Sequence, residues 1–255
     1  MASAIRIQAT EIYVRSGLTG TATVNDGAGV ADGAVTLTLD NVVTNLLMTT
    51  TIPVGATFQI AGESTPTRHT VTATTVDGAG ATDSITFSPP IATGSAIADG
   101  AAITVGFQQV AVVLGENNLT YTEDRNIEYD LDRGRLSGVT EGDEAPVSLN
   151  LGFRWCNVTT GTNEPVSIVE AIKGIGAAAD WPSTGDDPCE PFAVDLVMVH
   201  TPACTQVVVE SDVITFEEFR FDQLSYDLSN ASIAVTGRSN RTEARSERIL
   251  PELLG

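Results

Sequence analysis

The stretch GRLSGVTEGDEAPVSLNLGFRW, residues 134–155, decides how the fold is read. Its second half alternates almost without error. Val147, Leu149, Leu151, Phe153 and Trp155 fall on one side, and Ser148, Asn150, Gly152 and Arg154 on the other. Successive side chains of a strand point to opposite faces, so this period predicts a long strand with one face buried and one face wet. Three acids, Glu141, Asp143 and Glu144, stand at its entrance. What the wet face meets, and what the acids do there, sets the question for the rest of the chain.

The 255 residues suffice for one large or two small domains with a buried core. Composition is 42% hydrophobic but only 5% aromatic, which with abundant Gly, Ala, Thr and Val favours short strands and turns over helices. No run approaches the ~18 apolar residues of a membrane-spanning helix. The opening MASAIRIQATEIYVRSG has no apolar stretch followed by a small-residue cleavage site, so the expectation is an unprocessed chain made in the cytoplasm. The formal charge is −20, from 33 acids and 13 bases. Residues 1–106 carry 8 acids and 3 bases, net −5, and the remainder 25 and 10, net −15. Such a surface repels DNA and anionic membrane, although solubility alone also explains an acidic chain. Twelve of the 13 bases are Arg, with Lys173 the exception, and Arg suits bidentate contacts with carboxylates.

Along the chain, residues 5–15 read as a first strand. From about Thr21 to Gly106 the character shifts to Gly, Ala and Thr with short apolar runs: AVTLTLD, ATFQIAG, HTVTATT, DSITFS and AAITV. The turn signals VNDGAG, TVDGAG and FSPP separate them, and five or six strands in this span suggest a small β-barrel or sandwich. Past Gly106 the strands lengthen and acids multiply: FQQVAVVLG, NLTYTE, RNIEYDL, APVSLNLGFRW, PFAVDLVMVH, TQVVVE, ITFEEFRFDQLSYDL and ASIAVTG. Ile127, Tyr129 and Leu131 alternate with Glu128, Asp130 and Asp132. Over 214–228 the phase slips, and a β-bulge near Asp222–Gln223 would restore one apolar face. NEPVSIVEAIKGIG is the one good helix, with Asn163 expected as its cap and Gly174 as its end. After Gly237 a tail rich in Arg and Glu follows, either frayed or a docked arm.

Reactive constellations are scarce. His69 has no nucleophile motif beside it, and His200 with Cys156, Cys189 and Cys204 matches no paired zinc-ligand spacing. Three cysteines do not describe a disulfide scaffold. Cys189 and Cys204 flank a strand whose ends lie too far apart for a bridge unless the chain folds back, so reduced thiols are expected. GIGAAA, 174–179, follows the helix instead of opening one, and so makes no phosphate cradle. Neighbouring acids such as Glu217 and Glu218 point to opposite faces of a strand, which disfavours acid/base teamwork and reads as solvated surface. No catalytic, cofactor-binding or metal-binding residue is assigned. The expectation is a structural or binding component, not an enzyme.

The second half resembles the tail tube, or major tail, proteins of tailed bacteriophages. The resemblance lies in YTEDRNIEYDLDRGRLSGVTEGDEAPVSLNLGFRW, VEAIKG, DDPCEPFAVDLVMVH and ITFEEFRFDQLSYDLSNASIAVTGRSN. Their order is the specific part: acidic turn, alternating strand, short helix, strand, bulged hairpin, basic arm. It covers roughly residues 5–20 and 107–248, and the spaced Cys189 and Cys204 also look like the family's pattern. The resemblance implies a mainly β core, a sandwich or half-barrel with one flanking helix. It implies six copies in a ring, rings stacked into a tube, and duplex DNA passing through without specific binding. The implied partners are the chain itself, tail tip or baseplate and terminator proteins, and a sheath where the tail is contractile. No membrane binding is implied. The implied location is the virion tail, assembled in the host cytoplasm.

On this reading residues 1–20 and 107–255 form the core and its C-terminal arm, and residues 21–106 form an inserted small β module that projects outward. Glu128, Asp130 and Asp132 are the candidates to line an anionic bore. Glu141, Asp143 and Glu144 are candidates for subunit or ring contacts, with Arg238, Arg241, Arg245 and Arg248 as their complement. The alternative is a capsid decoration or fibre-like binding protein.

Overall fold

The computed structural model describes residues 10–46, 51–78, 81–95, 97–112, 119–133, 135–154, 166–185, 187, 189–200 and 211–249. The protein is mainly β, with a closed six-stranded barrel, further strands beyond it and one α-helix. The first seven strands are β1 (Thr10–Arg15), β2 (Gly20–Val24), β3 (Thr36–Thr44), β4 (Ala56–Ile60), β5 (His69–Val76), β6 (Thr82–Ser88) and β7 (Ala102–Val112). β2, β3, β6, β5, β4 and β7 pair in that order, and β7 pairs back to β2, closing the ring. Of the two alternatives open for 21–106, barrel and sandwich, the strands form a barrel.

Local sequence explains the closure. Leu37 and Leu39 of β3 point inward between exposed threonines, and with Phe58, Ile60, Val71, Ile85, Phe87, Ile103 and Val105 they fill the interior. Full closure removes sheet edges. The expected turns form where the sequence signals them: Gly29 donates to the Asp26 carbonyl at 2.7 Å, and Ala81 donates to Asp77 Oδ1 at 2.9 Å.

The remaining elements are β8 (Thr120–Thr122), β9 (Ile127–Asp132), β10 (Arg135–Glu141), β11 (Ser148–Arg154), α1 (Ile168–Lys173), β12 (Val194–His200), β13 (Ser211–Asp227), β14 (Ser232–Arg238) and β15 (Arg245–Ile249). Their order continues from the barrel as β7-β1-β12-β13-β14-β11-β8, with β15 on the free side of β13's first half, while among the described residues β9 and β10 pair only with each other. The opening stretch follows its period closely: Val147, Leu149, Leu151 and Phe153 are buried and Ser148, Asn150 and Arg154 exposed, while Gly152, expected on the wet side, is covered. They share a second core with Ile12, Val14, Leu196, Phe216, Phe219, Ile233, Val235 and the apolar side of α1. Trp155 lies outside the described residues.

Three expectations need adjustment. Residues 102–112, which run from AAITV into FQQVAV, are one unbroken strand, β7, whose first part pairs with β2 and whose last part pairs with β1. The boundary drawn at 106 therefore falls inside a strand that belongs to both cores. The helix is capped at Ser167, whose hydroxyl accepts from Glu170 N–H at 3.2 Å while Glu170 reaches back to Ser167 N–H at 3.0 Å. That reciprocal Ser-x-x-Glu box satisfies two orphan donors; Asn163 lies outside the described residues. Gly174 closes the helix in the left-handed region, at φ 61°, as its place in the sequence suggested. Finally, β13 carries two register shifts. One lies at the expected place, between Phe221 and Gln223; the other lies between Val194 and Leu196 of its partner β12, opposite Glu217 and Glu218.

The junction of the two cores is tightly built. Gly17 passes under the 182–184 segment, where a Cβ would stand 2.2 Å from the Ser183 carbonyl oxygen, so only glycine fits. The Phe107 ring lies against two guanidiniums, Arg15 at 4.0 Å and Arg68 at 4.8 Å from its centroid. Burial, then the neighbouring Arg68 charge, pulls Arg15 down to about 10.

Candidate functional site

The acidic candidates lie on the β9–β10 hairpin and at its root. Glu128, Asp130 and Asp132 share one face of β9, so alternation placed them together correctly. The opposite face carries Ile127, Tyr129 and Leu131, with Val139 across from Tyr129 and Leu136 across from Leu131. These five apolar side chains are exposed, at 42% to 66%. Both faces of the hairpin are therefore wet, and the sequence pattern, read as one buried face, did not reveal this. Burying a single large apolar side chain is worth about 1.5–3 kcal/mol. A contiguous exposed group of five departs from the scattered exposure that monomer surfaces show.

At the root, Glu141, Asp143 and Glu144 line an open cleft of about 220 Å³ with Glu123, Asp124 and Glu243. Arg125 is the one base lining it, and its Nε donates to Glu141 at 3.2 Å. Glu123 accepts from Ala244 N–H at 2.8 Å, which ties the rim to the loop before β15. Spacing alone had brought only 141–144 to notice. Glu123, Asp124 and Glu243 arrive by tertiary contact.

The four arginines meet other acids of their own chain. Arg238 pairs with Asp222 at 3.3 Å and Arg248 with Asp212 at 3.2 Å. Arg241 reaches Glu217 at 3.0 Å and Glu218 at 3.2 Å, and Arg245 reaches Glu217 at 3.6 Å and also Glu247. The arm docks as strand β15 on β13 of the same chain. Glu218 corrects the reading of solvated surface acids. It is 5% exposed, sits at φ 53° in the first register shift of β13, and is held by Arg220, Arg241 and Asn240. Its N–H donates to Asp195 Oδ1 at 3.0 Å. Burial pushes the Asp195 carboxyl up from its ordinary value, the Glu218 bond opposing it. The doubled acid at a change of strand phase was the available signal.

The wet side of β11 belongs to a broad polar surface. Registers place Thr120 and Thr122 of β8, Ser148, Asn150 and Arg154 of β11, Thr236 and Arg238 of β14, and Gln223, Ser225 and Asp227 of β13 on one face. β8 pairs only with Ser148–Asn150, and the 220–227 part of β13 pairs only with β14, so both sides of this sheet keep open backbone edges among the described residues.

His69, read as non-catalytic, is buried in the barrel with Glu63, their side chains 0% and 1% exposed. Its Nδ1 lies 2.7 Å from the Pro89 carbonyl, which only accepts, so that nitrogen bears hydrogen. Its Nε2 lies 3.1 Å from Glu63 Oε2, and Phe58 and Phe87 pack on the ring. His200 bonds Thr10, and Cys189 is an exposed thiol, while Cys156 and Cys204 lie outside the described residues. Among the described residues no group of His, Cys, Asp or Glu is arranged to hold a metal ion, and no helix is long and apolar enough to cross a membrane. No family model, curated protein or solved structure matches the chain.

Proposed function

We propose that the chain is a structural subunit of a phage tail tube, six copies forming a ring and rings stacking around a bore that passes duplex DNA. The observation that carries this reading is the β13-β14-β11-β8 sheet, with a polar outer face of mostly small residues and an open edge at each side. Such an edge is a template for another strand, and repetition around a ring closes it. The two strand groups flanking the second core then form the sandwich or half-barrel of a tube subunit, with α1 at its side. The polar face of β11 lines the bore, joined by Glu128, Asp130 and Asp132, and it slides past phosphate without gripping it. Six copies at −20 each give a ring of −120. Salt screens this within about 10 Å at 0.1 M, so acids near the wall matter most.

In this reading the barrel is the inserted module. It sits outside the tube, since a folded body of that size would block duplex DNA. Electron microscopy of the concentrated protein tests the proposal. The expected result is stacked rings or tubes of uniform bore. Persistent monomers or trimers would overturn it in favour of a capsid decoration or fibre-like protein.

A further inference from the structure

We infer that the β9–β10 hairpin is a self-docking arm, its tip seated in the acidic root cleft of the next copy and its apolar face covered by that copy. Three observations meet here. Among the described residues the hairpin pairs with no other strand, yet it presents Ile127, Tyr129, Leu131, Leu136 and Val139 on one face. A two-stranded hairpin gains lasting stability only from a third strand or a surface to pack on. Its tip carries Arg133 and Arg135, neither of which forms an ion pair with a described residue. Its root carries the cleft of Glu123, Asp124, Glu141, Asp143, Glu144 and Glu243 against the single Arg125.

The tip, with Arg133 and Arg135 against Asp132, carries net +1 and the root cleft net −5, and the two are separated by the length of the strands. Six residues at about 3.3 Å each set them roughly 20 Å apart, so a tip cannot reach its own cleft. A second copy supplies both complements. The contact is head-to-tail, each copy giving a tip and receiving one, and such contacts build closed rings or open filaments. With its apolar face covered, the hairpin keeps Glu128, Asp130 and Asp132 in water. Closure of the repeat into rings rests on the tube-subunit reading. The tip-to-cleft contact stands on the hairpin alone.

The test is charge reversal in the full chain. Arg133→Glu/Arg135→Glu and Asp143→Arg/Glu144→Arg alter exposed side chains only. Circular dichroism should therefore match the parent. Each double variant should raise the protein concentration needed for half-assembly by at least about tenfold in sedimentation. Mixing the two variants, or combining all four changes in one chain, should restore assembly in part, because the substituted cleft then carries four acids against three arginines, net −1, in place of six acids against one, net −5. Tubes that form equally well from parent and both variants would overturn the hairpin contact and leave the tube reading standing. A parent that stops at a twofold dimer, hairpin face to hairpin face, would overturn the head-to-tail contact and the tube reading together. Linear filaments that the variants abolish would sustain the contact and overturn the ring.

Discussion

The barrel and the β11-containing sheets differ in how they end. The barrel closes on itself: β7 returns to β2, each strand has two neighbours, and its buried polar pair, His69 and Glu63, is completed inside. The second group begins on a strand borrowed from the barrel and ends at β8, three residues long, with an isolated hairpin beside it. A closed sheet satisfies its hydrogen bonds and apolar area within one chain. An open one leaves edge groups that solvent or another strand must satisfy. The chain therefore holds a part whose strands are all paired and a part with open edges among the described residues, and they meet at Gly17 and the Arg15–Phe107–Arg68 stack.

The largest effects would come from breaking one core at a time. His69→Ala removes a ring packed on Phe58 and Phe87 and leaves Glu63 only the long contacts from Thr67 and Ala92 N–H, and loss of one member of a buried pair costs about 3–5 kcal/mol. Phe153→Ala empties part of the second core at a cost of about 3–5 kcal/mol. By hydrogen exchange, His69→Ala should unprotect β4 to β6 and spare β11 and β14, with the reverse for Phe153→Ala. Equal loss everywhere would show that shared β7 fuses the cores into one cooperative unit.

A pH-dependent effect of intermediate size is expected at Asp195. Its carboxyl is raised in the folded state by burial, so the stability it contributes is present below its unfolded value and lost as pH rises through the folded one. Asp195→Asn, which keeps an acceptor for Glu218 N–H, should gain stability relative to the parent on going from pH 3 to pH 7. Denaturant midpoints at the two pH values measure it, and an unchanged difference would refute it. The smallest effect is at the helix cap. Ser167→Ala should cost about 1 kcal/mol, seen as a lower denaturation midpoint, with exchange in the barrel untouched. A barrel response would again argue for one unit.

Much of the strand layout was legible because its signals are local. Alternation over 147–153 named the buried side chains, Asp26 and Asp77 marked turns, and the phase slip at Asp222 located a bulge. Ser167 was legible too, through Glu170 three residues on, although Asn163 before Glu164 and Pro165 offered a competing cap. The site was less so. Glu128, Asp130 and Asp132 share a face, yet nothing nearby in sequence says that Ile127, Tyr129 and Leu131 stay uncovered. The acids of 141–144 were visible, while Glu243, which shares their cleft, lies about a hundred residues on.

By itself the sequence determined most of the strands, though not β2, β10 or β15, the apolar side of the alternating ones, several turns, and that the charge is strongly negative. These follow from a period of two and from backbone preferences of a few adjacent residues. Only the tertiary structure decided that β2 to β7 close, that one strand serves two cores, that Arg241 and Arg245 meet Glu217 and not the acids at 141–144, and that Glu218 is buried. Pairing between distant strands depends on the joint fit of edges, volumes and charges across the whole chain, which no local window contains.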